Sequence, residues 1–445
     1  MGAQDFLDKW GYKVNIMKVL AVTEDTVFYY GDYFWKFKKF FQWAVATALH
    51  ALSFKFPENT IAEGPGALQK LGPFMKEQGW KKAFIMTDKN LVELGQVKKL
   101  TDVLDAAGIG YAIYDGTVPD PTVENVEEGY KVYMENGCDV VIGFGGGSPI
   151  DASKVVAGRV VRPNRTTDNM GGMFGVMLPN INWLIKKPDN YPKTIEIPTT
   201  SGTGAEITFS AVITNRRTGR KYTVNDPAIQ PDYSLLDPEL TFTVDPDMTA
   251  LTGIDALSHL TEAYVGLGHN KEADRISREG IPLVFKYLHT AVNEPENLEA
   301  RQALQKAAHL GGQELITGFT TYVHPFAHKT GAMTHLTHGY CIGTYMPYLL
   351  EFYRPEADER LAELADLIGV TKAGMTTADK AEAYIQAIRD LCAPYGIDGH
   401  IPQVAMLDKK EFIQSVRTEA FAYPMPKHIT DDEIADIMDR VSGLK

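Results

Sequence analysis

Short apolar runs alternate with amphipathic stretches from about residue 57 to residue 240. We predict five strands there, at 82–88, 110–114, 140–144, 194–198 and 234–237. Helical periodicity lies between the first of them, over residues 91–107 and 123–136. Alternation of strands and helices with short loops is typical of βαβ units, so we predict a parallel, Rossmann-like sheet.

The pattern changes after the pair Asp245-Pro246, which predicts a helix N-cap followed by proline in the first helical turn. Almost everything beyond it has helical periodicity. The sequence therefore predicts an α/β domain over residues 57–243 and an all-α domain over residues 244–445.

Residues 1–56 form a predicted helical extension of a different character. The segment 34–43 is aromatic and basic, and an apolar run continues to residue 54. A helix packed on the body or at a subunit contact is one interpretation. An interfacial membrane helix, or another docking element over residues 34–54, is the alternative. The apolar run over 40–54 is too short to span a bilayer.

Charge and cysteine content narrow the class of protein. The 445 residues carry a net charge of −13 and no long Lys/Arg block, which argues against a nucleic-acid partner. The three cysteines lie far apart and form neither a CxxC pair nor a disulfide framework. We therefore expect a protein of the reducing cytoplasm.

Two glycine-rich turns follow predicted strands. Gly145-Gly146-Gly147-Ser148 leaves one strand and opens a helix, where free N–H groups and the helix dipole suit a diphosphate. The second turn, over residues 198–206, offers hydroxyl groups and glycines in succession. A tight turn and a polar loop are the structural alternatives, but open α/β sheets bind ligands where such strands end.

Asp88 ends the strand over residues 82–88. A carboxylate at this point can accept hydrogen bonds from an adenosine ribose and repel a 2′-phosphate, which favours NAD over NADP. A helix N-cap is the alternative interpretation.

Metal-ligating side chains are concentrated in two places. Asp255 and His259 are spaced i, i+4 on a predicted helix and therefore share one face. Four of the 11 histidines then fall within one short window, at His324, His328, His335 and His338. A histidine cluster with an aspartate elsewhere is typical of a divalent metal site, and we expect some of these histidines to be ligands. A turn near Thr330-Gly331 would bring the cluster together.

Four motifs in order resemble the iron-containing (group III) alcohol dehydrogenase family: GGGSPIDASK at 145–154, PTTSGTGAE at 198–206, GIDALSHLTEAYVG at 253–266 and VHPFAHKTGAMTHLTHG at 323–339. The resemblance covers residues 57–445. It implies the fold shared with dehydroquinate synthase, an N-terminal NAD(P)-binding domain and a helical metal-binding domain.

The same resemblance implies roles for individual residues. The ion would be held by Asp255, His259, His324 and His338, and His328 would act beside the nicotinamide. His335 has no counterpart and is expected at the surface or behind the ligands. The cofactor positions implied are Asp88, Gly145, Gly146, Gly147, Ser148, Asp151, Thr199, Thr200, Thr203 and, more loosely, Lys221.

The expected activity is NAD-linked oxidation of a primary alcohol or reduction of an aldehyde. The ion, Fe(II) by resemblance with Zn also possible, would polarise the substrate oxygen while hydride moves to or from nicotinamide. We also expect a homo-oligomer. The alternatives are a dehydroquinate synthase-like lyase and a non-catalytic assembly subunit. The long extension and the expanded loop over residues 163–192 depart from the family pattern.

Overall fold

A computed structural model describes residues 60–170, 190–217, 220–226, 229–268, 270–420 and 423–445. The predicted extension over 1–56, its candidate docking segment 34–54 and most of the loop 163–192 lie outside these residues.

The first half is built on a six-stranded sheet. Its strands are β1 (Thr60–Glu63), β2 (Lys82–Met86), β3 (Gly110–Tyr114), β4 (Val140–Gly145), β5 (Lys193–Pro198) and β8 (Tyr233–Leu236). They run in the order β1-β8-β5-β4-β2-β3, and every neighbouring pair is parallel. Parallel sheets need cover on both faces. Along β2, Ala83 and Ile85 pack into one apolar cluster, whereas Phe84 and Met86 pack into another on the opposite face.

Within the described part of this half, five helices flank the sheet: α1 (Leu71–Gln78), α2 (Lys89–Glu93), α3 (Gln96–Ala107), α4 (Val123–Asn136) and α5 (Gly147–Val160). The helix predicted over residues 91–107 is in fact two helices, α2 and α3. Gly95 separates them with a φ of 71°, a left-handed conformation that ends one helix and begins the next.

Two features of this half were not predicted. β1 is only four residues long, which is too short to show a periodic pattern. An antiparallel hairpin of β6 (Ser210–Asn215) and β7 (Arg220–Asn225) stands apart from the main sheet. Burial alternates along β6, but its sequence SAVITN has three consecutive apolar residues and no alternation of apolar and polar positions, so the period of two appears only in the structure.

The second half is all helical, as predicted. Its helices are α6 (Pro246–Val265), α7 (Lys271–Asn293), α8 (Leu298–Thr317), α9 (Val323–Thr334), α10 (His338–Phe352), α11 (Asp358–Leu367), α12 (Thr377–Cys392), α13 (Lys409–Glu419) and α14 (Asp431–Ser442). The predicted start at Asp245-Pro246 is confirmed, because the Asp245 carboxylate accepts from the Met248 N–H. Among the helices described, none combines the length and apolarity that crossing a bilayer requires.

The two halves meet at the second glycine-rich turn. A Cβ on Gly204 would lie 2.4 Å from the Cα of Gly312 in α8, so only glycines permit this approach. Beside it, His309 of α8 and the buried carboxylate of Glu206 are 3.0 Å apart. These contacts hold the C-terminal edge of the sheet against the helical half and leave a cleft between them.

Candidate active site

The cleft has a volume of about 1050 Å³ and is lined by residues of both halves. On the sheet side, its walls include both glycine-rich turns. On the helical side, it ends at the histidine cluster. All the predicted site residues except Gly145 line it. The fold therefore gathers into one cavity motifs that are separated by up to about 250 residues in sequence.

The first turn connects β4 to α5. Gly146 is the N-cap of α5 and supplies no side-chain hydrogen bond, which leaves the first-turn N–H groups without a side-chain cap. Gly145 has a φ of 151°, and a Cβ there would lie 2.7 Å from the Pro149 ring. Gly145 therefore shapes the turn from behind, whereas Gly146, Gly147 and Ser148 face the cleft.

The second turn lies directly against the first. A Cβ on Gly147 would approach the Thr203 methyl carbon to 2.8 Å, and one on Gly146 would approach the Thr200 methyl to 3.4 Å. The two turns thus form one narrow surface of backbone and hydroxyl groups. Such a surface admits a diphosphate closely because glycine places no side chain in the way.

Two acidic residues of the sheet side have internal partners. The Asp88 carboxylate accepts from the Leu91 N–H and caps α2, so the N-cap interpretation is correct, while the same residue also lines the cleft. Asp151 accepts from the Val212 N–H and lies 3.0 Å from the ammonium of the buried Lys154. Asp151 therefore joins α5 to the β6–β7 hairpin.

Lys221 reaches the cleft from β7, the strand that was not predicted. Its ammonium lies 2.6 Å from the Asp120 carboxylate, which belongs to another part of the cleft wall. The hairpin explains how a residue far from both glycine-rich motifs can line the same cavity.

Asp255, His259 and His324 come together at the helical end of the cleft. One potential ligand atom from each lies within 4.8 Å of the other two. Asp255 and His259 lie one turn apart on α6, and His324 is on the first turn of α9. All three residues are about 4% exposed. The sequence-predicted convergence of these three side chains is thus present in the fold.

His338 approaches the same carboxylate from α10. Its Nε2 lies 3.3 Å from Asp255 Oδ1, compared with 3.6 Å for His259 Nε2 and 3.8 Å for His324 Nε2. The turn that brings His338 back is later than predicted. α9 continues through Thr330-Gly331, and the chain reverses at His335, whose φ is 59°.

The donor set fits a divalent cation. Asp255 Oδ1 and His324 Nε2 are buried and make no hydrogen bond within the described residues. Unpartnered buried polar atoms are costly, so two of them in one cluster require an explanation. The His259 nitrogen that faces Asp255 is Nε2, at 3.6 Å. One carboxylate and several imidazoles are ligands that Fe(II) and Zn both accept.

Burial and neighbouring charges set the protonation of these groups. Burial lowers the pKa of His259 to about 4, which leaves its imidazole neutral near pH 7. Burial also lowers the pKa of His338. Although burial opposes ionisation of Asp255, the surrounding imidazoles hold its pKa below the usual range. A neutral imidazole and an ionised carboxylate are the forms that bind metal.

Glu262 was missed by the sequence reasoning. It lies on α6 and is fully buried, and its Oε1 is 2.6 Å from His324 Nδ1. Its Oε2 accepts from the N–H and hydroxyl of Thr321. Carboxylates in this position orient ligating histidines. The spacing of Asp255, His259 and Glu262 on one helix face was the signal that could have found it.

His328 and His335 occupy different environments. His328 lies beside the ligand candidates, with its ring stacked on that of His338 at a centroid distance of 4.9 Å. His335 is exposed and lines the cleft, in keeping with the surface position expected for it. Glu419 of α13 lies 2.6 Å from His328 Nδ1 and was also missed. No local sequence pattern connects residues 91 positions apart.

Comparison with known proteins identifies the family. The model for iron-containing alcohol dehydrogenase matches residues 58–238, and the C-terminal model of the Fe-containing alcohol dehydrogenase family matches residues 249–442. NAD-dependent methanol dehydrogenase from Bacillus methanolicus is 32% identical over 84% of this chain and 96% of its own length. Lactaldehyde reductase from Escherichia coli K12 is 32% identical over 80% of this chain and 90% of its own length.

A solved structure gives the same result. Sulfoacetaldehyde reductase from Bifidobacterium kashiwanohense, determined in complex with NAD+, is 26% identical and superposes with a TM-score of 0.78. The match covers 88% of this chain and 99% of that one. With both halves matched by family models and the metal-ligating side chains gathered at the end of the cleft, the chain belongs to the iron-containing alcohol dehydrogenase family.

Proposed function

We propose that the protein is a metal-dependent, NAD-linked dehydrogenase that interconverts primary alcohols and aldehydes. Members of its family act on CH–OH groups, and it is an oxidoreductase of that class. The observation that carries the proposal is the set of buried, unpartnered donor atoms at one end of a cleft whose other end holds two glycine-rich turns.

The ion is assigned to Asp255, His259, His324 and His338. The first three converge within 4.8 Å, and His338 lies 3.3 Å from the shared carboxylate. We assign Fe(II) as the ion of the native enzyme because the matching family is that of the iron-containing alcohol dehydrogenases. Zn is the alternative, because this donor set accepts either ion. The assignment places the metal in residues 244–445 and the dinucleotide in residues 57–243.

The dinucleotide is assigned to the sheet side of the cleft. Gly146, Gly147 and Ser148 would place backbone N–H groups against the diphosphate, with Thr199, Thr200 and Thr203 beside it. Gly145 and Asp151 would hold the shape of this surface. Asp88 would accept from the adenosine ribose, and Lys221 would contact the nicotinamide ribose. The Asp88 carboxylate favours NAD, because a 2′-phosphate would be repelled there.

The protein contributes positioning, exclusion of water and movement of one proton. When bound, the ion supplies Lewis-acid chemistry at the substrate oxygen and the nicotinamide supplies hydride chemistry. The two halves would hold the substrate and the nicotinamide in the same cleft. This lowers the entropic cost of bringing the reacting atoms together. His328, with its side chain 26% exposed, is assigned to pass the alcohol proton to solvent.

The two alternative functions are not favoured. A dehydroquinate synthase-like lyase acts on a phosphorylated sugar acid and needs several cations in its pocket. The lysines in the described cleft wall are Lys89 and Lys221, and Lys221 is paired with Asp120. A non-catalytic assembly subunit would have no need for a converged ligand set.

The setting of the enzyme is also part of the proposal. Cys138, Cys341 and Cys392 are free and buried, which is compatible with the reducing cytoplasm. We propose a homo-oligomer with small alcohols or aldehydes as its substrates and with no nucleic-acid partner. The segment 34–54 remains a candidate for subunit or membrane docking.

The activity can be tested with protein purified without oxygen, stripped by a chelator and reloaded with Fe(II), Zn or Co(II). Absorbance of NADH would then be followed with a panel of alcohols, diols and aldehydes. We expect turnover only in the reloaded protein, with Fe(II) giving the highest kcat. Equal turnover in stripped and reloaded protein would refute the metal assignment, and no change in NADH with any substrate would refute the activity.

Cofactor choice has its own test in Asp88→Asn. Asparagine also caps helices, so α2 should keep its N-cap while the charge is removed. We expect the ratio of kcat/KM for NADPH to that for NADH to rise about tenfold, through loss of repulsion of the 2′-phosphate. Glu93→Gln, an exposed neighbour on the same helix, is the control and should leave the ratio unchanged. An unchanged ratio in Asp88→Asn would remove Asp88 from the ribose site.

A further inference from the structure

Glu419 lies where it can control the histidine that is assigned to move the proton. It is the last residue of α13, and its Oε1 is 2.6 Å from His328 Nδ1. α13 carries none of the assigned metal ligands, which come from α6, α9 and α10. Glu419 therefore contacts His328 from outside the ligand set.

The chemistry of this contact fixes one form of the imidazole. An ionised carboxylate only accepts hydrogen bonds, so His328 must donate from Nδ1–H. In the neutral ring, the lone pair is then on Nε2. The contact also holds the ring against rotation, because Nδ1 must stay within bonding reach of Glu419. Proton transfer depends on both the tautomer and the direction of the receiving nitrogen.

We propose that Glu419 is a positioning residue, which holds His328 as the Nδ1–H tautomer with Nε2 available for proton transfer. The proposal rests on the role of His328 in the proposed function. Glu419 is not among the residues that line the cleft, so it would act only through His328.

The surroundings of Glu419 support this role. Its side chain is 28% exposed, whereas the side chain of Glu262, the carboxylate against the ligand His324, is completely buried. Tyr423, which lines the cleft together with His328, lies close to Glu419. The 2.6 Å contact between Glu419 and His328 Nδ1 is short enough for a charge-assisted hydrogen bond, which the positioning of a ring requires.

Two variants and a matched control test the proposal on the metal-loaded enzyme. Glu419→Ala should lower kcat about 10–100-fold, the range typical of partners that orient an active-site histidine, with KM for the alcohol nearly unchanged. Glu419→Gln should keep much of kcat, because its amide oxygen can still accept from Nδ1–H. Glu411→Gln is the control. Glu411 lies on the same helix and pairs with Lys329 outside the cleft, so kcat should not change.

A double-mutant cycle separates positioning from a general structural effect. In a His328→Ala background, Glu419→Ala should have almost no further effect on kcat, since the residue through which it acts is gone. Metal content should equal that of the wild type in every variant. An equal loss of kcat in both backgrounds, a loss of metal, or an unchanged kcat in Glu419→Ala would each overturn the proposal.

Nitrogen NMR of the zinc-loaded, ¹⁵N-histidine-labelled protein gives a readout that does not need activity. The His328 signal should have the signature of the Nδ1–H tautomer in the wild type and lose it in Glu419→Ala. The Nε2–H signature in the wild type would overturn the proposal. If His328→Ala leaves kcat unchanged, the proton-transfer role in the proposed function fails, while the NMR signature still decides whether Glu419 fixes the ring.

Discussion

The two sides of the cleft differ in the groups that they leave available to a ligand: backbone on the sheet side and side chains on the helical side. On the sheet side, the two assigned carboxylates have partners: Asp88 caps a helix, and Asp151 bonds both a backbone N–H and Lys154. What this side offers is exposed backbone, made accessible by glycines that contact the facing turn. On the helical side, the backbone is satisfied within helices, and buried side-chain atoms lack partners among the described residues.

This difference determines which amino-acid substitutions each side of the cleft can tolerate. A surface of backbone is damaged by added atoms, because a new Cβ occupies the space that a ligand or a neighbouring turn requires. A set of side-chain ligands is damaged by removed atoms, because each donor is needed. Substitutions of both kinds, made in turn, would sharpen or break this comparison.

The largest effect is expected from His324→Ala. Removing this donor should lower kcat by roughly 10³-fold or more, because several kcal/mol of transition-state stabilisation depend on the ion. Metal content, measured by plasma mass spectrometry, should fall in parallel, whereas NADH binding should persist. His400→Ala, a half-exposed histidine outside the cleft, is the control. Full metal content and activity in His324→Ala would show that His324 is not a ligand.

Gly147→Ala should give the next largest effect, and this effect should be on NADH binding and not on metal content. The added methyl would lie 2.8 Å from the Thr203 methyl, so either the Thr203 side chain would have to move or the two turns would have to separate. We expect the Kd for NADH, measured by fluorescence titration, to rise about 10–100-fold, which corresponds to about 1.4–2.8 kcal/mol. Metal content should stay at the wild-type level.

The cause of that effect can be checked by a second substitution. Thr203→Ser removes the methyl that the Gly147→Ala side chain would strike, so the double variant should recover part of the affinity. Gly110→Ala, in the same sheet, has only ordinary contacts at 3.6 Å and should leave the Kd unchanged. Loss of metal in Gly147→Ala, with no loss of NADH affinity, would reverse the comparison between the two sides.

The smallest effect concerns a buried carboxylate of the helical half that has no cationic partner among the described residues. Burial raises the pKa of Glu314 to about 8, although Ser277 and Thr317 donate hydrogen bonds to it; Asp274 raises it further. A folded-state pKa above the unfolded value makes the stabilisation complete below about pH 4 and progressively lost as the pH rises to about 8.

Glu314→Gln should remove this pH dependence, because an amide does not ionise. We expect Tm of the wild type to fall more than that of the variant between pH 5 and pH 8, by several degrees. Scanning calorimetry of both proteins across this interval would measure the difference. Parallel curves would show that Glu314 is not protonated in the folded enzyme at neutral pH.

Much of this site could be predicted because its parts are contiguous in sequence. The glycine triplet, the Thr/Ser-rich turn and the Asp255–His259 pair each lie within one short segment, and their spacing carries the chemistry. Gly95 shows the limit of periodicity: the apolar pattern continues across it, although a left-handed residue breaks the helix. The β6–β7 hairpin, which carries Lys221, was not predicted, because its strands lie next to a polar loop in the sequence.

The carboxylates behind the histidines show what local pattern cannot reach. Glu262 shares a helix face with two assigned ligands, and this spacing was the available signal, but spacing alone does not show which histidine Glu262 contacts. Glu419 contacts His328 although the two residues are 91 positions apart in the sequence. The local sequence around either residue does not predict this contact.

The sequence by itself determined five strands of the first half, the helical character of the second half, the family motifs and the residue types that could hold an ion and a dinucleotide. These follow from periodicity and from short-range spacing, which the chain carries locally. Only the tertiary structure decided that α6, α9 and α10 meet at Asp255, that the two glycine-rich turns touch, and that Glu419 lies against His328. Those contacts depend on how helices pack over long sequence distances, and packing is set by the whole core together.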